Sequence, residues 1–323
     1  MNLGDRNLFR LAAITVVIFV TMSLVTRGRF LSVANFESMA FMLPELAILS
    51  LAMALAMLTG GIDLSVVATA NLAGVVAALA ITHLLPAEAG LGTTVLVVAA
   101  GAVLAITSGA ICGGINGLLI SRFNISAILA TLGTMQLFTG IALVVTSGKA
   151  ITGLPKIVQS FGNDTILGVP IPFCFFAAIT LFVWVLVERT PFGLRLRLTG
   201  SNPVAAVFSG ISVPSILFRT YLTTGILASL TGLLMIARTN SAKADYGSSY
   251  LLQAILVAVL GGVNPAGGFG TVKGIILAVV ALLLLASGFN MLHFSNFSKE
   301  FTWGLFLLVI MVFNYFANSR QRR

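Results

Sequence analysis

Uncharged apolar runs of about 20 residues recur along the whole of this 323-residue chain. One of them, Ile275–Ala286, contains no polar residue at all. Lipid does not tolerate unpaired backbone amides, and the runs lack the alternating polarity of barrel strands, so each run predicts a membrane-spanning helix. The chain is 58% hydrophobic and 8% charged, against about 25% charged in soluble domains. These values exclude a soluble enzyme and a disordered chain.

A hydrocarbon core about 30 Å thick requires about 20 apolar residues per helix. Counts from eight to eleven spans remain compatible with the sequence, and ten is the count that we expect. The predicted spans are 8–26, 40–59, 65–84, 91–119, 126–146, 166–187, 215–236, 250–263, 271–289 and 301–317. The segment 250–263 is short and is interpreted as a broken helix. The first is interpreted as a retained span, because no small-residue cleavage site follows it.

The 18 Lys and Arg residues are scattered singly or in pairs between the apolar runs. This scatter is typical of the positive-inside bias of membrane proteins and argues against a nucleic-acid surface. With ten crossings and a cytoplasmic N-terminus, eleven basic residues fall inside and seven outside, Arg238 and Lys243 among the latter. The sequence thus predicts an all-α integral membrane bundle with both termini in the cytoplasm. We expect one membrane domain over residues 1–323, because neither polar insertion, 147–165 or 188–214, is long enough for a soluble domain.

Glycines interrupt the apolar sequence at two places. Thr59–Ser65 reads T-G-G-I-D-L-S, and Leu260–Gly270 contains five glycines and a proline in eleven residues. Asp63 is interpreted either as a cap of the following helix or as a functional carboxylate at membrane depth. The second stretch is interpreted as a tight reversal that lets helices pack, since it lacks the G-K-[ST] ending of a nucleotide loop. The predicted helix-break glycines are Gly60, Gly61, Gly261, Gly262, Gly267 and Gly268.

The most basic insertion is the segment 188–214. Asn202 followed by Pro203 predicts the start of a short helix over 203–209, with Asn202 as its cap. Val207 and Phe208 would then be exposed or docked. Such a helix either enters a groove of a partner or belongs to an ordinary solvated loop.

Residues suited to metal or catalytic chemistry are sparse. Cys112, Cys174, His83 and His293 are isolated from one another in the sequence, and both cysteines are interpreted as small buried hydrophobic residues. Paired carboxylates and nucleophile–base pairs are missing from the predicted spans. We therefore expect neither a metal site nor an enzyme.

Five motifs in order resemble the permease subunits of bacterial ABC importers of the ribose type, a class that includes importers of other sugars and of the furanosyl autoinducer. The motifs are Thr59–Ser65, Gly113–Ile120, Thr131–Met135, Arg189–Ile211 and Leu260–Gly274. The chain departs from the family pattern in the fourth motif. There Val204 and Val207 replace an acidic residue and an arginine, and Leu194 stands where an arginine is expected.

This resemblance implies a permease of the bacterial inner membrane that works as a homodimer or with a homologue. A separate ATPase subunit, carrying the ATP and Mg²⁺, would dock on a cytoplasmic coupling loop at about 188–214, and a periplasmic binding protein would deliver the cargo. The coupling residues implied are Arg189, Phe192, Gly193, Arg195, Arg197, Gly200, Asn202, Pro203, Ala205, Ala206 and Gly210. No cofactor is expected in this chain.

The scarcity of charge in the predicted spans favours a neutral polar cargo, such as a sugar or a polyol. The residues whose polar groups could meet its hydroxyls are Asp63, Ser65, Asn71, Asn116, Thr131, Thr134, Gln136, Gln253 and Asn290. Amides within spans also serve as contacts between helices, and that alternative stays open. A second hypothesis is an ion-coupled secondary transporter that acts without an ATPase and uses Asp63.

Overall fold

A computed structural model describes residues 3–86 and 88–319. Over these residues the chain is almost entirely helical. The helices are α1 Leu3–Val25, α2 Val33–Leu58, α3 Val66–Leu84, α4 Leu91–Ser121, α5 Ala127–Thr146, α6 Lys156–Asn163, α7 Ile171–Glu188, α8 Pro191–Ser201, α9 Pro203–Phe208, α10 Val213–Thr239, α11 Tyr250–Leu260, α12 Val272–Met291 and α13 Asn296–Ser319. The strands are β1 Ile151–Thr152, β2 Thr165–Ile166, β3 Val169–Pro170 and β4 Ser241–Ala242. β1 pairs with β4, and β2 pairs with β3, both antiparallel.

Eight of the ten predicted spans are helices long and apolar enough to cross a membrane: α1 to α5, α7, α10 and α12. The predicted span 250–263 is the 11-residue helix α11, short as expected. The predicted span 301–317 lies within α13. The multi-pass, all-α prediction is therefore confirmed.

Two predicted boundaries were wrong. The span predicted from 166 begins only at Ile171, because Leu167 and Gly168 adopt positive φ angles (53° and 80°) and turn β2 into β3. The span predicted from 40 begins at Val33, where the Ser32 hydroxyl accepts a hydrogen bond from Asn35 N. This helix continues through Pro44.

α2 and α10 lie at the centre of the bundle. Every residue of α2 from Leu43 to Leu58 is buried. α10 packs against α4 where small residues face each other. A Cβ atom at Gly109 would lie 2.5 Å from Gly225 O and from Ser229 Cβ. Close approach of these backbones therefore requires glycine.

One end of the bundle, here called the α8 face, carries α8, α9 and the helix ends at Leu58, Glu188 and Val272. α10 starts beside this face, and its 27 residues span about 40 Å at 1.5 Å per residue. Its last turn therefore lies toward the other end, here called the opposite face. Arg320, Arg322 and Arg323, which entered the orientation argument, lie outside the described residues, as does the side chain of Arg6.

The two cysteines differ in burial. Cys112 is buried on α4, as predicted, but Cys174 is exposed on α7. The prediction for Cys174 was wrong because α7 buries the stripe that contains Pro172 and Phe176 and turns its neighbours outward. Among the described residues, no group of three or more His, Cys, Asp or Glu is placed to hold a metal ion.

Candidate functional site

The two glycine-rich breaks and the end of α8 meet at one point on the α8 face. Gly268 N donates a hydrogen bond to Leu58 O (3.0 Å), so the second break caps the last turn of α2. A Cβ atom at Gly267 would lie 2.6 Å from Gly200 O and 2.8 Å from Gly60 N. Only residues without a side chain allow three backbones to approach this closely. We call Leu58, Gly60, Gly200, Gly267 and Gly268 the glycine junction.

The backbone angles and contacts of the break glycines explain why glycine is needed in this region. Gly60, Gly262, Gly267 and Gly268 have φ angles between 83° and 93°, a range that favours glycine. A Cβ atom at Gly261 would lie 2.9 Å from Gly274 C, so the end of α11 contacts the start of α12. The predicted tight reversal is confirmed.

The loop predicted at 188–214 is mostly helical. Its second helix, α9, matches the predicted helix 203–209, and Asn202 Oδ1 accepts a hydrogen bond from Ala205 N (3.0 Å) as the predicted cap. Its first helix, α8, was missed. Pro191 in its first turn was the available signal, because proline is favoured there.

α8 and α9 are bonded firmly to the bundle. Gly193 packs directly against the backbone of Val187, and Arg197 Nη2 donates to Gly270 O (3.2 Å). Glu188 Oε1 accepts a hydrogen bond from Val272 N (3.2 Å) at the start of α12. A displacement of α8 must therefore move the ends of α2, α7 and α12 as well.

The outer side of α8 and α9 is apolar, and we call it the α8–α9 surface. Phe208 is 88% exposed, the most of any residue in this surface. Its members are Leu194, Leu198, Val204, Val207 and Phe208, with the exposed basic residues Arg189 and Arg195 beside them. Of the other predicted coupling residues, Asn202, Pro203, Ala205 and Gly210 are exposed, Phe192 and Arg197 are partly buried, and Gly193, Gly200 and Ala206 are buried.

Five of the predicted pathway residues form one buried polar network, which we call the Asp63 cluster. The carboxylate of Asp63, 2% exposed, accepts hydrogen bonds from Ser65 N (3.0 Å), Ser65 Oγ (2.7 Å) and Thr224 Oγ1 (2.8 Å). Ser65 Oγ accepts from Asn116 Nδ2 (2.7 Å), and Asn116 Oδ1 accepts from Thr134 Oγ1 (2.6 Å).

The cluster also includes Thr131, whose hydroxyl accepts from Leu64 N (3.1 Å). Asp63 accepts its backbone hydrogen bond from Ser65, the residue before α3, and not from the first-turn amides that the capping interpretation requires; it also contacts α10 through Thr224. Thr224 was not among the predicted residues. The cluster connects α3, α4, α5 and α10 beside the first glycine-rich break.

Gly61 has a steric role next to this cluster. A Cβ atom at Gly61 would overlap the hydroxyl of Tyr221 and lie 2.8 Å from Ala127 Cβ. The Tyr221 hydroxyl is buried and has no hydrogen-bond partner among the described residues. The glycine therefore allows the break to pack against α5 and α10.

The other predicted pathway residues lie apart from the Asp63 cluster. Asn71 Nδ2 donates to Ala244 O (3.0 Å) and Tyr246 O (2.9 Å), a contact between segments of the chain. Gln136 is exposed on α5, and Gln253 is partly buried on α11. Asn290 accepts a hydrogen bond from Lys299 Nζ and borders a cavity of about 210 Å³ between α2 and α12.

A buried ion pair was missed by the sequence argument. Arg238 lies in the last turn of α10, where it forms a two-pronged contact with Glu45 on α2, with Nε–Oε1 2.6 Å and Nη2–Oε2 2.9 Å. Tyr250 donates a further hydrogen bond to Glu45 Oε2 (2.9 Å). The sequence placed Arg238 on the outer side, beyond the end of its span; the structure places it in the last turn of α10, toward the opposite face, rather than in a loop. A lone glutamate within the apolar run 40–59 was the signal that could have identified the pair.

Comparison with known proteins places the chain in a family. A family model described as "Branched-chain amino acid transport system / permease component" matches residues 35–314. The ribose import permease protein of Bacillus subtilis (strain 168) is 35% identical over 271 residues, which are 82% of this chain and 80% of that protein.

Two further relatives are autoinducer 2 import system permease proteins. The one from Enterobacter sp. (strain 638) is 33% identical over 273 residues, 83% of this chain and 80% of its own. The one from Photorhabdus temperata is 30% identical over 321 residues, 97% and 92% of the two chains. The comparison with solved structures gave no match. The chain is therefore a multi-pass membrane protein that belongs to this family of transport-system permease components.

Proposed function

We propose that the chain is the membrane-spanning permease of an ATP-binding cassette importer for a neutral sugar or sugar-like polyol. A separate ATPase subunit binds the ATP and Mg²⁺ and docks on the α8–α9 surface, on the cytoplasmic side. A soluble binding protein delivers the cargo at the opposite face. A second permease, a copy or a homologue, completes the pathway.

The observation that carries this proposal is the construction of the α8–α9 surface. Its exposed apolar side chains suit insertion into a groove of a partner, because exposed apolar patches mark binding surfaces. On its buried side, Gly193 packs against Val187 near the end of α7, and Gly200 packs against Leu58 at the end of α2. Arg197 donates a hydrogen bond to Gly270 O just before α12. A force applied at the surface therefore reaches the spanning helices directly. Coupling of ATP hydrolysis to helix movement requires such a connection.

The electrostatics favour a neutral cargo. Among the described residues, the buried carboxylates are Glu45, which is paired with Arg238, and Asp63, which is bonded to hydroxyl and amide donors. An anionic cargo would find no buried cation among the described residues, so its desolvation would go uncompensated, and the Asp63 carboxylate is already satisfied by three donors. Hydroxyl groups need only hydrogen-bond partners.

α5 is the best candidate for a helix that lines the pathway. Its Gln136 side chain is exposed in the single chain, between the exposed Gly133 and the partly exposed Gly140. An amide facing lipid is unfavourable, so Gln136 must face water or a partner chain. Gln136 faces water or a partner chain, as required, if the pathway runs along α5 between two permeases.

The test is copurification with a candidate ATPase subunit, sought among the genes that neighbour the gene of this chain. Phe208→Glu places a charge at the most exposed apolar position of the α8–α9 surface, and we expect it to reduce recovery of the ATPase at least tenfold. Leu167→Glu is the matched control, because Leu167 is fully exposed on the β2–β3 turn, which precedes α7 and lies away from α8. Equal recovery with both variants would contradict the docking site.

A further inference from the structure

The chain between α10 and α11 has an unusual position. Residues 240–249, which we call the central segment, contain no helix, yet Ala242 and Ala244 are only 1% and 2% exposed. Irregular backbone at membrane depth is tolerated only where protein encloses it or where it lines a water-filled cavity. The buried part of the central segment, Ser241 to Ala244, is therefore enclosed by the bundle, while Asp245 is exposed.

Polar contacts hold the central segment on two sides. Asn71 on α3 donates to the carbonyls of Ala244 and Tyr246, and β4 pairs with β1 in the register Thr152↔Ser241. Ser241 Oγ and Tyr246 Oη lie 2.6 Å apart. Asn71 is only eight residues beyond Asp63, which places this part of the segment about 10 Å from the Asp63 cluster at the rise of a helix.

The ion pair holds both ends of the central segment. Arg238 stands two residues before the segment, and Tyr250 follows it directly; both contact Glu45 on α2. The Glu45 side chain is 2% exposed and the Arg238 side chain 28%. A single buried carboxylate thus joins the last turn of α10 to the first turn of α11.

The composition of the central segment suits movement. It contains no Val, Ile, Leu, Met or Phe, so little apolar burial fixes it and its polar contacts determine its position. Asn240, directly after α10, has a positive φ angle of 51°, and Gly247, three residues before α11, has a positive φ angle of 61°. Backbone positions of this kind near helix ends are suited to act as hinges.

We propose that the central segment is a gate that closes the opposite end of the bundle, and that Glu45, through Arg238 and Tyr250, holds this gate shut. The direction of opening, toward the binding protein, rests on the proposed function. The existence of the gate does not rest on the proposed function, because it is inferred from the enclosed irregular segment and its contacts alone. Loss of the Glu45 contacts frees both ends of the segment together and admits water to it.

The test measures access of water to the gate. The background variant Cys174→Ser removes the exposed native thiol. In this background, the measured quantity is the rate at which the thiol of Ala244→Cys reacts with a membrane-impermeant maleimide applied to the opposite face. We expect slow labelling in this background and at least tenfold faster labelling after Glu45→Gln or Arg238→Gln. Tyr250→Phe removes one hydrogen bond only and should accelerate labelling two- to fivefold. It serves as the decisive variant if either charge variant fails to insert.

The control variant is Lys243→Gln, which breaks an exposed ion pair inside the same segment (Lys243–Asp245, 3.0 Å) and should leave the labelling rate unchanged. A disulfide between Thr152→Cys and Ser241→Cys, at partner positions of β1 and β4, should restore slow labelling to Tyr250→Phe. A control disulfide between Ile166→Cys and Val169→Cys, at partner positions of the β2–β3 hairpin, should leave the labelling of Tyr250→Phe fast. Unchanged labelling in folded Tyr250→Phe, or equal acceleration by Lys243→Gln, would overturn the gate. Neither readout requires cargo or ATPase, so failure of the gate is distinguishable from failure of the proposed function.

Discussion

Gly200 offers the sharpest test of the glycine junction. In an ordinary helix, replacing glycine by alanine stabilises the protein by about 0.5–1 kcal/mol, because alanine restricts the unfolded chain. At Gly200, the new Cβ atom would overlap Leu58 O and lie 2.7 Å from Gly268 N. Both contacts are backbone atoms, which cannot rotate away. The substitution should therefore force α8 off the end of α2.

The magnitude follows from two contributions. Overpacking of this kind costs about 1–3 kcal/mol, and loss of the hydrogen bond from Gly268 N to Leu58 O adds about 1 kcal/mol. We expect Gly200→Ala to lower the free energy of unfolding by about 1–3.5 kcal/mol after its helix-propensity gain of about 0.5–1 kcal/mol. Copurification of the ATPase should weaken in parallel, because the α8–α9 surface shifts.

The assay is unfolding of the purified chain in detergent, with Gly114→Ala as the matched control. Gly114 also lies within a helix, α4, but a Cβ atom there would meet nothing within 4 Å. We expect the control to be neutral or stabilising. If Gly200→Ala unfolds at the same denaturant concentration as Gly114→Ala, the close packing at the junction is refuted.

Three further variants test other parts of the account. Thr224→Val removes a hydroxyl donor from buried Asp63 and should destabilise by about 1–3 kcal/mol, whereas Thr223→Val, whose hydroxyl contacts only its own helix, should stay within about 0.5 kcal/mol; denaturant unfolding measures both. Asn202→Ala removes the α9 cap, costs about 1 kcal/mol locally, and should speed amide hydrogen exchange in residues 204–208 but not in α4. In the Cys174→Ser background, Ser201→Cys, exposed at the end of α8, should react with an impermeant maleimide only from the cytoplasmic side, and labelling from outside would reverse the topology.

Local chemistry made much of the fold predictable. The apolar runs located all ten segments because lipid allows few alternatives to a helix. The α9 start at Asn202–Pro203 was predictable because capping depends on neighbouring residues alone. The turn at Leu167–Gly168 was missed because its flanking residues are as apolar as a span.

Contacts between distant segments were not predictable. Asp63 and Ser65 are two positions apart in the sequence, so their contact could be expected. No local pattern pairs Asp63 with Thr224, which lies 161 positions away. The same holds for Glu45 and Arg238, 193 positions apart. Such partners are set by helix packing, which a single sequence does not encode position by position. The glycine motifs suggested close packing without saying that they meet one another.

The most direct test of the central claim is solute uptake by proteoliposomes that contain this chain, with and without its neighbouring ATPase and binding protein. The solutes are radiolabelled neutral sugars and polyols that stabilise the binding protein in a thermal-shift screen. The account predicts uptake only when all components and ATP are present, and no effect of a proton uncoupler. Uptake by the chain alone, abolished by the uncoupler and indifferent to ATP, would contradict it.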